Sequence, residues 1–319
     1  MTVVLANSTV ATVSADSNPD LFWALRGAGA AFAIVLEFQF KTFDAPEENV
    51  IFDYSLTPNN ATQLAKWLTV LQDFSIHDQP PELDMRMFLP SELTGVYHGN
   101  RTQFDQVMAP LLAKLDNPGG GNKVVTKGWI ETLTHFAFTS LLQPEVYDVH
   151  ENFYAKSLMP EALPPASITA MANYYFTTAR NYSMANGRAW YLLIDLHGGN
   201  RAAISAVPPD ATSYSHRKTI FKMQFYDRIY PDSAIYKPEY MKFMDGWVKA
   251  IEDASGGNKY GMYINYADTS LDKTEAHIRY WGDHYDRLVK IKKSYDPYNA
   301  LYGPQIVGSE FGAYMAVGG

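Results

Sequence analysis

Hydrophobic residues in the first 45 positions follow a two-residue period that is interrupted once by a short helical segment. Val3–Leu5 and Val10–Val13 predict two strands of a hairpin. A short helix is expected next, with Asn18 as its N-cap and Gly27 at its end. Ile34–Thr42 alternates again, so it predicts a third strand.

From about residue 46 the pattern changes to strands alternating with amphipathic helices. The predicted strands are Ile51–Leu56, Met85–Leu89, Thr94–His98, Ala189–Leu196, Ile220–Tyr226 and Met262–Tyr266. The predicted helices are Ala61–Ser75, Ala166–Ala179, Pro238–Ala254 and His277–Lys293, with a loop at Asn117–Gly121. The apolar stripe of Pro238–Ala254 is more typical of a core than of a cofactor site. The predicted fold class is α+β, an antiparallel sheet with helices on one face.

Each of three predicted strands carries polar side chains on one of its faces. Strand alternation places Lys222 and Gln224 on one face of their strand. Asp195 falls on the same face as a tyrosine in its strand, and Tyr263 is cofacial with Asn265. If these strands are neighbours, one sheet face packs on helices and the opposite face collects these polar groups as a candidate catalytic surface.

This set of side chains suits the oxidation of an alcohol, in which a base removes the hydroxyl proton as hydride leaves the carbon. A tyrosine has a reference pKa of about 10, so it serves as base only if a cation or a strong hydrogen bond stabilises its phenolate. Lys222 is the candidate cation, and Asp195 could accept the tyrosine proton or align the hydroxyl. The alternative is an ordinary, partly exposed ion pair between Asp195 and Lys222.

The segment 26–33 is rich in glycine and alanine. Small residues let a backbone approach a ligand closely and offer it N–H groups, although a tight connection would have the same composition. The segment lacks the glycine order of a dinucleotide-binding turn and the Gly-Lys-Ser/Thr of a phosphate-binding loop.

Composition argues against several classes of function. The net charge of −8 over 319 residues disfavours nucleic-acid and anionic-lipid partners, and no apolar run is long enough to span a bilayer. The absence of cysteine excludes disulfides, thiolate metal sites and a cysteinyl flavin link within these residues. The eight histidines lack metal-ligand spacing, and no Gly-x-Ser-x-Gly motif indicates a serine hydrolase.

The sequence gives weaker signals of where the protein is located than of its fold. Sequons for N-glycosylation begin at Asn7, Asn60, Asn100 and Asn181, which favours an extracellular glycoprotein, although the first residues do not resemble a signal peptide. Aromatic residues make up 14% of the chain. They are expected mainly in the core, with a surface for stacking sugar rings as the alternative.

Four segments resemble motifs of the berberine-bridge-type flavoproteins, and they occur in the same order as in that family. The segments are NPDLFWALRGAGAAFAIV (18–35), SHRKTIFKMQ (215–224), YINYAD (263–268) and YWGDHYDRLVKIKKSYDPYN (280–299). The resemblance spans nearly the whole chain and is closest to fungal gluco-oligosaccharide oxidases. It implies a vanillyl-alcohol-oxidase-like fold with FAD as cofactor, in which a substrate domain covers the flavin of a PCMH-type domain.

The resemblance also implies a division of the chain. Residues 1–45 would end the FAD-binding domain, residues 46–290 would form the α+β substrate domain, and residues 291–319 would return to the FAD domain. The family's pyrophosphate-binding region, and the histidine and cysteine that tether its flavin, are expected upstream of these residues.

Site residues follow from matching the family motifs onto this sequence. Tyr266 corresponds to the family's usual base and Asp195 to its aspartate partner, whereas strand alternation alone would select Tyr263. The implied cofactor contacts are Gly27, Ala28, Gly29, Ala31, Phe32, Ile34 and Asn265. The implied substrate contacts are Lys222, Gln224, Tyr263 and Tyr154. This chain departs from the family at Ala31 and Ala33, where Asn and Gly are usual.

The function that the resemblance implies is oxidation of an oligosaccharide at its anomeric carbon, with hydride passing to flavin and oxygen reduced to peroxide. Two alternatives stay open at this point. The substrate could be a secondary metabolite, or the chain could be a non-catalytic module that only binds a ligand.

Overall fold

The structure is a computed structural model that describes residues 1–116, 121–137, 151–182, 187–231 and 234–308. Its strands are β1 Thr2–Val4, β2 Val10–Thr12, β3 Ile34–Glu37, β4 Asn49–Ser55, β5 Leu83–Leu89, β6 Glu92–Tyr97, β7 Lys123–Lys127, β8 Phe153–Leu158, β9 Arg188–Leu196 and β10 Phe221–Ile229. Its first five α-helices are α1 Pro19–Ala28, α2 Ala61–His77, α3 Arg101–Lys114, α4 Trp129–Ala137 and α5 Pro165–Tyr174. The helices that follow are α6 Arg180–Tyr182, α7 Ala203–Ala206, α8 Met241–Ala254, α9 Lys273–Trp281 and α10 Tyr285–Tyr295.

A seven-stranded antiparallel sheet forms the centre of the described fold, in the order β7-β4-β6-β5-β9-β10-β8. The predicted α+β class is confirmed. Strands β9 and β10 are neighbours, and their register pairs Lys222 with Asp195 and Gln224 with Leu193. Strand β5 lies on the other side of β9 and pairs Arg86 with Asp195. Paired residues of antiparallel strands point to the same face, so Arg86, Asp195 and Lys222 form one polar row across three strands.

The opposite face of this sheet is covered by helices α2 and α8, and helix α5 packs against both of them. Helix α8 presents an apolar stripe to the sheet, as its sequence predicts, and Phe243, Met244, Trp247 and Ile251 are all buried. The Trp247 ring meets the Phe225 ring of β10 edge to face, with centroids 5.6 Å apart. Packing therefore leaves the face with Lys222 and Asp195 free to serve as a site.

The first 37 residues form a separate three-stranded sheet, β2-β1-β3, with helix α1 beside it. The C-terminal helix α10 returns to this region. Arg287 forms an ion pair with Asp20 at 2.8 Å, and the buried Lys292 ammonium donates to the Ala31 carbonyl at 2.6 Å. These contacts are compatible with the predicted domain division, whose boundaries stay a prediction.

Three local expectations are wrong. Met262–Tyr266 does not form a strand, because Gly261 makes only an isolated bridge and Ile264–Tyr266 is a 3₁₀ turn. The helix expected over 277–293 is two helices, since Gly282 adopts φ 49° between them. Asn18 also has positive φ, and its amide donates to the Thr12 carbonyl instead of capping α1.

Other boundaries differ slightly. Strand β3 ends at Glu37 rather than Thr42, and α5 passes into a π-helical turn at Tyr175–Ala179. Most of the predicted loop Asn117–Gly121 lies outside the described residues. Across the part of the chain that the structure describes, no helix is long and apolar enough to cross a membrane, and no three potential metal ligands cluster together.

Candidate active site

The polar row on the open sheet face is centred on Asp195, which is nearly buried between two cations. The Lys222 ammonium lies 2.9 Å from one carboxylate oxygen and the Arg86 Nε lies 2.8 Å from the other. Each residue comes from a different strand, because β5, β9 and β10 are adjacent. The sequence-based prediction that Asp195 and Lys222 share a face and meet is therefore confirmed.

Two tyrosines project toward this row from the irregular segment that follows β-bridge residue Gly261. The backbone N–H of Tyr263 donates to the Ser157 hydroxyl at 2.8 Å, which fixes the segment to the end of β8. The rings of Tyr263 and Tyr266 meet edge to face with centroids 5.2 Å apart. The Lys222 ammonium lies 5.7 Å from the Tyr263 ring centre. The turn brings both tyrosines into one site, so strand alternation does not choose between them.

Burial raises the pKa of Tyr266 above its usual value, and the charge of Asp195 adds to this effect. Lys222 and Arg86 act in the opposite direction but do not reverse it. Burial lowers the pKa of Lys222, yet the adjacent Asp195 carboxylate outweighs burial and leaves that pKa above normal. The cluster thus holds a cationic lysine, and Tyr266 keeps its proton at neutral pH.

A cavity of about 510 Å³ lies between this cluster and the glycine-rich segment of the N-terminal region. One wall is formed by residues 25–30, and the opposite wall includes Lys222, Tyr263 and Asn265. A second cavity of about 270 Å³ is lined by Arg86 and Asp195 and shares His197, Ile204 and Lys222 with the first. Ligand-binding sites commonly occupy such clefts between two parts of a fold.

Gly27 and Gly29 have different roles in the cavity wall. A Cβ at Gly27 would lie 2.3 Å from the Tyr214 nitrogen and 2.5 Å from the Ser213 hydroxyl, so only glycine fits there. A Cβ at Gly29 would meet no atom within 4 Å, because Gly29 faces open space at the cavity.

We expect Gly27→Ala to lower the free energy of unfolding by about 1–3 kcal/mol, as overpacking of a close backbone contact does. Gly29→Ala is the matched control and is expected to change it by less than about 0.5 kcal/mol. Urea unfolding curves of the two variants provide the comparison. Equal losses of stability would contradict the assigned contact.

Residues 262–268, the segment that carries Tyr263 and Tyr266, are also held from the helix-covered face. Asp268 is fully buried, and its carboxylate lies 2.5 Å from the Lys156 ammonium. The backbone N–H and the hydroxyl of Ser270 both donate hydrogen bonds to the same carboxylate. Lys156 and Ser157 are successive residues of β8 and point to opposite faces. Strand β8 therefore holds this segment from both sides of the sheet.

Four aromatic rings stack in a row across the open sheet face, one from each of strands β5, β9, β10 and β8. They are Phe88, Tyr191, Tyr226 and Phe153. The central pair, Tyr191 and Tyr226, is nearly parallel at 11° with centroids 4.7 Å apart, so these two rings cover each other's faces. The outermost ring, Phe153, is 52% exposed. This row forms an apolar surface beside the Asp195 cluster.

Comparison with known proteins gives a consistent assignment. The family described as berberine and berberine-like matches residues 262–307. The xylooligosaccharide oxidase of Thermothelomyces thermophilus is 39% identical, and the alignment covers 96% of this chain and 61% of that oxidase. The glucooligosaccharide oxidase of Sarocladium strictum is 38% identical, with 93% and 60% covered. The solved structure of the Acremonium strictum glucooligosaccharide oxidase superposes with a TM-score of 0.88 at 37% identity, covering 97% of this chain and 66% of that one.

Residues 262–307 belong to the berberine-bridge-like family, and the chain as a whole aligns with part of these oligosaccharide oxidases. It spans about three fifths of the length of the two oligosaccharide oxidases it matches. The resemblance inferred from the four sequence segments is confirmed. Roles of individual residues in this berberine-bridge-like chain stay predictions, because the comparisons concern whole proteins.

The structure brings some of the predicted cofactor contacts to the cavity and not others. Gly27, Ala28, Gly29 and Asn265 line it. Ala31 and Phe32 are instead buried in the core, because the 3₁₀ turn at Gly29–Ala31 directs the chain inward. Ile34 lies on β3 and is 58% exposed, away from the cavity lining.

The predicted substrate contacts divide in the same way. Lys222 and Tyr263 line the cavity, and Gln224 lies one row further along the same open face. Tyr154 does not reach the cleft. Alternation along β8 directs it to the helix-covered face, where its hydroxyl bonds Asp245 at 2.8 Å and Asp268 at 2.9 Å.

Sequence reasoning missed several residues of the berberine-bridge-like site. One of them is Arg86, which alternation in Leu83–Leu89 places opposite the apolar residues of that strand, and this signal could have identified it. Arg26 and Arg217 also line the cavity. Both lie in segments that resemble the family motifs, but the sequence does not show that they meet, because the packing of α1 against the segment before β10 brings them together.

Proposed function

We propose that this chain forms the substrate side and part of the cofactor side of an FAD-dependent carbohydrate oxidase. It would transfer hydride from the anomeric carbon of an oligosaccharide to flavin, with oxygen reduced to hydrogen peroxide. The observation that carries the proposal is the cluster of Asp195, Lys222 and two tyrosines, of which Lys222 and Tyr263 line a 510 Å³ cavity opposite the glycine-rich wall.

The residues of the cavity fit the edge of a flavin ring. The wall at Ala28–Ala30 carries only small side chains, and the space at Gly29 is open, so a flat ring can approach the backbone there. Tyr263, Asn265 and Trp281 provide planar or polar groups around the same cavity. When bound, FAD would supply the hydride acceptor.

Tyr266 is the residue proposed to take the proton of the substrate hydroxyl. Because its pKa is raised, it cannot rest as a phenolate and must release its own proton as it accepts another. Asp195 is the carboxylate of the cluster and the proposed proton acceptor. Lys222 and Arg86 keep Asp195 oriented and offset the negative charge that develops on the tyrosine oxygen.

Two observations support a carbohydrate substrate. The relatives include proteins named for xylooligosaccharides, glucooligosaccharides and chitooligosaccharides, at 34–39% identity. The aromatic row beside the Asp195 cluster offers apolar surface for the C–H faces of sugar rings, with Phe153 as its open face. An oxidase of extracellular polysaccharide fragments would be secreted, in keeping with the four sequons.

A peroxide assay of flavin-loaded protein against xylo-, cello- and chito-oligosaccharides and a set of aromatic alcohols tests this proposal. Peroxide with an oligosaccharide supports it. Peroxide with only aromatic alcohols would favour oxidation of a secondary metabolite. Ligand binding with no turnover on any compound would indicate a binding module.

Replacing Asp195 with Asn should change the pH dependence of flavin reduction. Without Asp195 as proton acceptor, Tyr266 can act as a base only after it has lost its own proton, and burial raises the pKa of Tyr266, so the rising limb of the profile should move to higher pH. The maximal rate should also fall, because the proton acceptor is lost. Asp84→Asn, which removes a carboxylate lining only the second cavity, is the control. An unchanged profile in Asp195→Asn would leave Asp195 with a structural role.

A further inference from the structure

The lining of the 510 Å³ cavity carries positive charge and no carboxylate among the described residues. Arg26, Arg217 and Lys222 line it, and none of the described residues that line it is a carboxylate. Lys222 is paired with Asp195, which lines the second cavity but not this one. The chain as a whole carries a net charge of −8, so a cavity with this excess of cations is not a reflection of overall composition.

The two arginines converge on one short stretch of backbone. An Arg26 NH2 group donates to the Ala211 carbonyl at 3.0 Å, and an Arg217 NH2 group donates to the Thr212 hydroxyl at 2.6 Å. Since Ala211 and Thr212 are adjacent, the two guanidinium groups are neighbours with the same charge. Within the part of the chain that the structure describes, neither forms an ion pair with a carboxylate.

Arg217 also has an unsatisfied donor. Its Nε atom is buried and has no hydrogen-bond partner among the described residues. Leaving a charged donor of this kind unpaired is costly, and like charges placed together raise that cost further. Guanidinium groups in such a setting are typically completed by a bound anion, which they recognise through charge-assisted hydrogen bonds.

We propose that Arg26 and Arg217 form an anion-binding subsite at the rim of this cavity. Its ligand would be a negatively charged group of the cofactor. This assignment of the ligand rests on the proposed function. Two groups of FAD share the required chemistry. One is the diphosphate, and the other is the pyrimidine ring, which becomes negatively charged when flavin is reduced.

The test follows the Nε–H signal of Arg217 by nuclear magnetic resonance of the full chain. The chain is titrated in turn with inorganic pyrophosphate, with FAD and with riboflavin. The riboflavin titration is made before and after anaerobic reduction of the riboflavin. A response to pyrophosphate and FAD, but not to riboflavin, supports the subsite and assigns the diphosphate. A response to FAD and reduced riboflavin, but not to pyrophosphate, supports it and assigns the ring. A response to pyrophosphate without any flavin binding supports the subsite and contradicts the proposed function.

Arg217→Gln and Arg26→Gln should each raise the dissociation constant of the responsive probe about ten- to hundredfold, the range expected for a charge-assisted hydrogen bond, as measured by titration calorimetry because Arg217→Gln lacks the Nε–H signal. Arg180→Gln, an exposed arginine outside the cavity lining, should leave binding unchanged. No response of Arg217 to any probe at millimolar concentration would overturn the proposal. Equal weakening in all three variants would overturn it as well, because it would indicate nonspecific attraction.

Discussion

Replacing Tyr266 with Phe in flavin-loaded protein is expected to slow flavin reduction by the substrate by about 10²–10⁴-fold, the range typical for loss of a general base. The variant keeps the ring that packs edge to face on Tyr263 and loses only the hydroxyl. The rate constant of flavin bleaching, measured anaerobically after rapid mixing with oligosaccharide, gives the comparison directly.

Tyr263→Phe is the matched control because Tyr263 occupies the same turn and lines the same cavity. Its hydroxyl accepts a hydrogen bond from the Asn265 amide at 2.8 Å, so its loss should loosen Asn265 and cost far less in rate. A near-normal reduction rate in Tyr266→Phe would remove Tyr266 from the mechanism. A larger loss in Tyr263→Phe would transfer the role of base to that residue.

The second large effect is expected in stability. Lys156→Met should lower the free energy of unfolding by about 3–5 kcal/mol, because it leaves the buried Asp268 carboxylate without its cation. Lys249→Met is the control. Lys249 pairs with Asp253 on the exposed side of α8, with 72% of its side chain accessible, and exposed pairs contribute at most about 1 kcal/mol.

The stability difference between wild type and Lys156→Met should depend on pH. Burial raises the pKa of Asp268, but Lys156 and the hydrogen bonds from Ser270 outweigh burial and hold that pKa below its usual value. The stabilisation from this group is present above its unfolded-state pKa of about 3.9 and is lost as pH falls through the lower folded-state pKa. The difference between wild type and variant should therefore narrow below about pH 4. Urea unfolding across this range measures it, and a constant difference would contradict the assigned pair.

The regular parts of the fold could be predicted because their patterns are local. Alternation along Phe221–Phe225 and Tyr191–Asp195 depends only on strand geometry, and it placed Asp195 and Lys222 together once the strands proved to be neighbours. The stripe of α8 was equally clear, since a helix of that length needs one buried face.

The irregular parts of the site could not be predicted in this way. Tyr263 and Tyr266 lie on a 3₁₀ turn held by the Ser157 hydroxyl and by the ion pair of Asp268 with Lys156, and both β8 residues are distant from the turn in sequence. Family resemblance selected Tyr266 where alternation did not, but it also carried over Phe32, which packs in the core here.

Tyr154 illustrates a second limit. Its sequence neighbourhood is polar and aromatic, as expected for a cleft, yet its hydroxyl belongs to the buried network of Lys156 and Asp268. The face that a strand residue occupies is decided by the register of its neighbours. Pairing of Tyr154 with Asp227 across β8 and β10 sets that face, and no feature of the sequence around Tyr154 reveals it.

The Asp195 cluster is proposed to oxidise a carbohydrate with flavin held in the adjoining cavity. The most direct test is the visible absorbance of flavin-loaded protein, recorded anaerobically before and after addition of xylo- or cello-oligosaccharide. We expect the sugar to bleach the flavin, and the colour to return with formation of peroxide when oxygen is admitted. Flavin that stays bound and can be reduced chemically, but is not bleached by any of these sugars, would contradict it.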